Sequence, residues 1–352
     1  MKKLALALVL LAIVASVIYA FFYWSPSRPK GQMPEIVSLI PAESEWIAYA
    51  DLEAWRDSAI PAQLHKLLPG VAEGAEYREF VRATGFEYSR DLSQAVLALL
   101  PGIKTAEGEE AYQTIAFAEG RFDRNRITRY ALRSGSSESV GDVSIILTQP
   151  NQPADSKAVE SDPLLVAFLS DELVAIAGVP ASDPARLKRA RDAVLTAAEE
   201  GRKGIPLLAE GDRVSRVAGA PFFVIGREGG MRQLRTRLRS MSAKSGQAAN
   251  AIADLHWLAI AARPEQDQVR ISMVGECDSV LKATQLELLL HGLSLLSRGA
   301  LDGPKSRGQL SPEEAALLDR VLATARITRE QNAVEVRLEI PIQLLLGNPG
   351  KK

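Results

Sequence analysis

The chain opens with an apolar run from Leu4 to Trp24, in which Ser16 is the one clearly polar residue. As a helix rising 1.5 Å per residue, such a run reaches about 30 Å, the thickness of a bilayer's hydrocarbon core. It ends in Tyr19, Phe21, Phe22, Tyr23 and Trp24, aromatic side chains suited to a lipid–water interface. Lys2 and Lys3 favour a cytoplasmic N-terminus, while Arg28 and Lys30 on the far side weaken that bias. A cleaved signal peptide is the alternative, although the run is long for one and no small-x-small pattern closes it. Both readings export the rest of the chain. Ser25-Pro26-Ser27-Arg28-Pro29-Lys30-Gly31 then reads as a semi-extended tether.

Beyond the tether the pattern changes to short alternating runs and amphipathic stretches. Trp46 to Leu52 predicts a strand with Ile47 and Tyr49 on one face and Ala48 and Ala50 on the other. Helices are predicted from about Leu52 to Leu67 and from Glu73 to Ala83. A hairpin is predicted from Ala95 to Leu100 and Gln113 to Arg121, across the acidic stretch around Glu107, Glu109 and Glu110. Asp123 caps a short helix that ends at Gly135. Three strands follow, at Val143 to Leu147, Leu164 to Leu169 and Leu173 to Ala177. Asp183-Pro184 then starts a helix running to Gly201.

Glycines and charges from Gly201 to Gly219 break the pattern, and the order then restarts. Pro221 to Ile225 predicts a strand, and Met231, Leu234, Leu238 and Met241 mark a helix. Leu255 to Ala262 and Val269 to Cys277 predict a hairpin. A leucine-rich helix spans Val280 to Ser297, another starts at Ser311-Pro312, and a half-exposed strand covers Val334 to Ile340. The expected fold is α+β. An anchor (1–24) and tether (25–34) precede two related halves, 35–200 and 220–346. Each half is a mostly antiparallel sheet covered by helices. Residues 201–219 link the halves and 347–352 form a tail.

Composition narrows the function classes. Net charge is −1, and setting aside Lys2 and Lys3 leaves the exported part slightly acidic, which argues against a nucleic-acid partner. The lone Cys277 excludes an intramolecular disulfide, CxxC redox chemistry and cysteine zinc sites. The three histidines, His65, His256 and His291, form no metal-binding pair. Gly226-Arg227-Glu228-Gly229-Gly230 matches neither a dinucleotide fingerprint nor a P-loop. No Gly-x-Ser-x-Gly elbow is present. No cofactor, metal or catalytic residue is therefore assigned.

Two features remain as candidates. Arg232, Arg235 and Arg239 share one side of a basic helix and offer contact with an anionic partner. His256, with Asp254 nearby, offers acid–base chemistry if a nucleophile approaches. The leucine-rich helix adds a lipid-like ligand as a further alternative.

Leu39-Ile40-Pro41-Ala42-Glu43, Tyr49-Ala50-Asp51-Leu52 and Ala118-Glu119-Gly120-Arg121-Phe122-Asp123 resemble segments of an uncharacterised family of exported bacterial proteins. Members have one N-terminal span and a domain of unknown function. The resemblance implies a bacterial envelope location and a duplicated α+β domain, and supplies no site residues. The expected protein is a single-pass inner-membrane protein facing the periplasm. It would work as a binding or scaffolding module with a protein partner in the envelope.

Overall fold

In a computed structural model of the chain, the described residues are 33–56, 75–104, 110–148, 163–179, 183–200, 212–241, 254–265, 268–301 and 319–341. The apolar run 4–24, tether residues 25–32 and the helix start at Ser311-Pro312 lie outside them. Among the described residues no helix is long and apolar enough to cross a membrane.

In chain order a 3-10 turn (Glu35–Leu39) leads to β1 (Trp46–Asp51), α1 (Leu52–Arg56), α2 (Ala75–Thr84) and α3 (Tyr88–Asp91). Then come β2 (Leu92–Lys104), β3 (Glu110–Gly120), α4 (Arg124–Ala131), β4 (Gly135–Val140), β5 (Val143–Thr148), β6 (Leu164–Phe168), β7 (Leu173–Gly178) and α5 (Pro184–Glu200). After α6 (Asp212–Ser215) follow β8 (Phe222–Gly226), α7 (Glu228–Met241), β9 (Leu255–Glu265), β10 (Gln268–Cys277), α8 (Val280–Leu301), β11 (Arg326–Glu330) and β12 (Ala333–Pro341).

Among the described residues, twelve strands join one sheet in the order β11-β12-β10-β9-β8-β1-β2-β3-β7-β6-β5-β4, and every pairing is antiparallel. This corrects the expectation of a separate sheet in each half. β1 and β8 pair directly, with Ala48 opposite Val224, so the sheet runs through the boundary between the halves. From that seam both directions follow one course. The order β1-β2-β3-β7-β6 mirrors β8-β9-β10-β12-β11, with the β4–β5 hairpin added on one side.

Helices cover both faces. On the first face Ile47, Tyr49, Phe117, Phe223 and Trp257 pack with Ile36 and Val37 of the 3-10 turn, with Ala190 and Val194 of α5, and with Val214 of α6. Phe117 and Phe223 are fully buried, each contributing roughly 1.5–3 kcal/mol relative to exposure. Tyr49 stacks on Phe223 across the seam, with ring centroids 5.1 Å apart. On the second face Met231 of α7 and Ala283 and Leu286 of α8 pack on Leu255, Cys277 and Val334. At the other end of that face, Ile127 and Phe122 pack with Phe168 and Ala118.

Local signals explain several boundaries. The Asp123 carboxylate accepts from the Arg126 amide at 3.0 Å, and Asp183 accepts from Ala185 and Arg186 at 3.1 and 3.2 Å. Both are N-caps of the kind that satisfy a helix's first free N–H groups. Gly85, just past α2, has φ +77°, the left-handed conformation that favours glycine at a helix end. The polar strand β4 and the charged strand β11 have no counterpart among the predicted elements.

Candidate functional site

The hairpin β9–β10 and strand β12 build an open site. Near the seam their first-face positions are apolar: Trp257, Ala259 and Ala261 on β9, and Val274 on β10. Farther along, the same pleat turns polar. Arg263 stands opposite Arg270, which stands opposite Glu339. Ser272 stands opposite Arg337, which stands opposite Arg326. The result is an open trough of about 1210 Å³ bounded on one side by the chain from Ser215 to Pro221.

Five arginines and four glutamates line it. Arg270 pairs with Glu265 at 2.6 Å and lies 3.7 Å from Glu339. Arg337 donates to Glu335 at 2.7 and 2.9 Å, and the Ser272 hydroxyl donates to Glu335 at 2.9 Å. Arg263 has a different role. Its guanidinium donates to the carbonyls of Arg216 and Ala218 at 3.3 and 3.2 Å and so fixes the trough wall. Burial, and then the facing Arg270, pushes its pKa below the ordinary arginine value; a guanidinium nonetheless remains charged. Among the described residues, Arg216, Arg263 and Arg326 have no carboxylate within 4 Å. Like charges opposite each other on a sheet are unfavourable unless an anion joins them. The trough therefore offers cationic hydrogen-bond donors spaced by fixed carboxylates.

The other end of the same wall carries the candidate histidine. β9 has an extra residue at His256, because Glu276 pairs with Trp257 and Cys277 with Leu255. This bulge turns His256 toward Glu276 instead of leaving it aligned with Leu258 and Ile260, as a regular strand would require. Arg213 of α6 grips Glu276 through its Nε at 3.0 and 2.9 Å and through a terminal nitrogen at 2.6 Å. The same guanidinium lies 3.3 Å from His256 Nε2 and sits over the Trp257 ring at 5.8 Å. His256 Nε2 is 3.5 Å from Glu276, and Nδ1 is 3.6 Å from Asp278. Asp254, the expected companion of His256, is bound instead to Lys282 at 2.9 Å.

Among the described residues, no hydroxyl or thiol hydrogen-bonds to the imidazole. Cys277 is buried, and burial pushes its thiol up to about 11, so it stays protonated and inert. No group of three or more metal-ligating side chains occurs among the described residues.

The arginines of α7 are described only in part. Arg232 is exposed, whereas Arg235 is half-buried and donates to the Leu255 carbonyl at 3.4 Å. The Arg239 side chain lies outside the described residues. On α4 Arg126 pairs with Asp123 and Arg124 lies over Phe168, and just past its end Arg133 pairs with Glu79. These are a solvated face with local partners.

Sequence reasoning missed the trough. Glu335, Arg337 and Glu339 read as the wet side of a strand, which is correct locally. The signal that marks the site is the same alternation on Arg263, Arg270 and Ser272, and it has meaning only once the strands are registered.

No protein-family model matches the chain, and no curated protein matches it. Solved structures described as crystal forms III and I of TP0453 are similar at low level. Form III has 8% identity and a TM-score of 0.46 over 89% of this chain and 97% of that one. Form I has 9% identity and a TM-score of 0.45 over 88% and 95%. Likeness at this level carries no functional information.

Proposed function

We propose that this chain is a membrane-tethered extracytoplasmic binding module that receives an acidic segment of a partner protein in its arginine-lined trough. The observation that carries this is the pair Arg216 and Arg326, which line one open trough without carboxylate partners among the described residues, beside the wall-bound cation of Arg263. The interleaved glutamates repel a dense polyanion. They suit a polypeptide whose carboxylates are spaced apart by neutral hydrogen-bonding residues.

The tether and location rest on the Leu4–Trp24 run and on the resemblance to exported single-span bacterial proteins. In this reading the chain is a single-pass inner-membrane protein facing the periplasm. The mirrored strand courses on either side of the seam support an origin of the halves by duplication.

A photo-crosslinking residue placed at Glu330, on the trough rim, tests the proposal in intact membranes. The expected product is one partner, crosslinked through an acid-rich segment and lost when Arg216 and Arg326 are changed to glutamate. A crosslinker at exposed Asp171 is the control. Crosslinking that survives both reversals, or that maps to a basic or apolar segment, refutes the proposal.

An enzyme centred on His256 is the second reading, favoured by the two carboxylates flanking the imidazole. Turnover of a panel of chromogenic esters, amides and phosphates that disappears in His256→Ala establishes it; background turnover in both proteins removes it. A lipid-like ligand beside α8 is disfavoured, since Leu286 packs among Met231, Leu255 and Ala283 while Leu293 faces outward.

A further inference from the structure

A twelve-stranded open sheet has two edges, and they are built differently. At one end β11 (Arg-Ile-Thr-Arg-Glu) carries three charged residues in five. Dense charge on an edge strand blocks pairing with another chain. At the other end β4 (Gly-Ser-Ser-Glu-Ser-Val) has five of six residues exposed, no proline, no lysine and no break in its register with β5. Its single charge, Glu138, is neutralised by an ion pair to Arg191 of α5. The edge is therefore straight, electrically neutral and lined by small hydroxyl side chains. Alternate residues of β4 direct N–H and C=O groups away from β5.

Beside this edge lies a second cavity of about 200 Å³ between the sheet and α5. Its floor is aliphatic: Ile145 and Leu147 of β5, Leu165 of β6 and Leu187 of α5. Register places Ser136 opposite Leu147 and Glu138 opposite Ile145, so both face the cavity side. On the side of the sheet edge the cavity is lined by Ser136, Ser137 and Glu138 of β4. The Arg191 Nε atom at the rim is buried and has no hydrogen-bond partner among the described residues.

We infer that β4 is a strand-addition site: an extended, uncharged segment of a partner protein pairs with its outer edge, which no strand among the described residues covers, and inserts one aliphatic side chain into the cavity under α5. Main-chain hydrogen bonds supply the docking, and the cavity selects the side chain on alternate positions. A second copy of β4 fits poorly. Its own cavity-facing residues are serine and glutamate, which would leave the aliphatic floor unfilled and bring two Glu138 side chains near each other. The site is separate from the trough at the opposite end of the sheet, so either can fail without the other.

The test uses the full chain in lipid nanodiscs and an end-capped probe, Thr-Val-Thr-Leu-Thr-Val-Lys, with fluorescein on the lysine. Anisotropy measures binding, and hydrogen exchange maps it. The expected result is saturable binding that slows exchange at residues 135–140. Ser136→Lys, which puts a charge at the cavity mouth, is expected to weaken binding by about tenfold or more. An analogue N-methylated at alternate residues cannot donate its edge hydrogen bonds and is expected not to bind. That control holds even if the variant is unstable. Equal binding of both peptides overturns the inference, as does protection at residues 326–330 instead or no binding up to about 1 mM. Ultracentrifugation adds one more outcome: dimers of the unmodified chain that Ser136→Lys dissolves would assign the edge to a second copy and refute the inference.

Discussion

Replacing Arg213 with methionine removes the side chain that anchors α6 to the sheet. In the folded chain Glu276 is 8% exposed and accepts three short contacts from that one guanidinium. Breaking a fully buried ion pair costs about 3–5 kcal/mol, because a carboxylate is left unpaired. Arg213 is more exposed, at 38% of its side chain, so solvent reduces the cost to about 1–2 kcal/mol. For a chain of this size that lowers the melting temperature by roughly 1–4 °C.

The loss should also be local. Residues 214–220 form the wall of the trough and contribute Val214, Val217 and Ala220 to the core. Their amide exchange is expected to accelerate more than that of β2 and β3. Arg213→Met combined with Glu276→Leu should recover part of the stability, since no buried charge then remains. Urea melts and hydrogen exchange on the full chain measure both effects. Unchanged exchange at 214–220 in Arg213→Met would refute the assignment of Arg213 as the anchor of the wall.

Two other changes probe the frame that carries the sites. A methyl group at Gly230 meets Trp46 Nε1 at 2.3 Å and the Glu45 carbonyl at 2.7 Å. Gly230→Ala is therefore expected to cost about 1–3 kcal/mol in a urea melt, whereas Gly292→Ala, where nothing lies within 4 Å, should be neutral or slightly stabilising. Asp91 governs an acid-dependent effect. Arg90, a backbone bond from Glu87 and Arg121 hold its carboxyl below the usual range, against the opposing effect of burial. Its stabilisation is full above the unfolded-state value and fades as pH falls through the lower folded value. Asp91→Asn should lose about 1–2 kcal/mol at neutral pH and show a flatter stability profile between about pH 5 and pH 2.

Local order in this chain is legible where one face of an element is apolar. The alternation of Val334, Val336 and Leu338 with Glu335, Arg337 and Glu339 marks β12 correctly, and Asp123 and Asp183 cap the helices expected of them. β4 escapes because Gly-Ser-Ser-Glu-Ser-Val has no apolar side to bury, as suits an edge strand. The segment 201–219 reads as a polar boundary, yet Val214, Val217 and Ala218 are buried by the sheet they cover. Long-range pairing is the deeper obstacle. Trp46 meets Gly226 across the seam, and nothing in either neighbourhood specifies that register. The trough inherits the same difficulty, since Arg263, Arg270, Arg337 and Arg326 converge only after four strands are aligned.

The most direct measurement is a titration of the nanodisc-embedded chain with a fluorescent peptide whose glutamates alternate with threonines, at low and at high salt. The expected result is saturable binding that weakens as salt rises. Arg216→Glu with Arg326→Glu should weaken it by at least about tenfold, or 1.4 kcal/mol. Affinity that is indifferent both to salt and to the double reversal would contradict a charged trough built to hold an acidic segment.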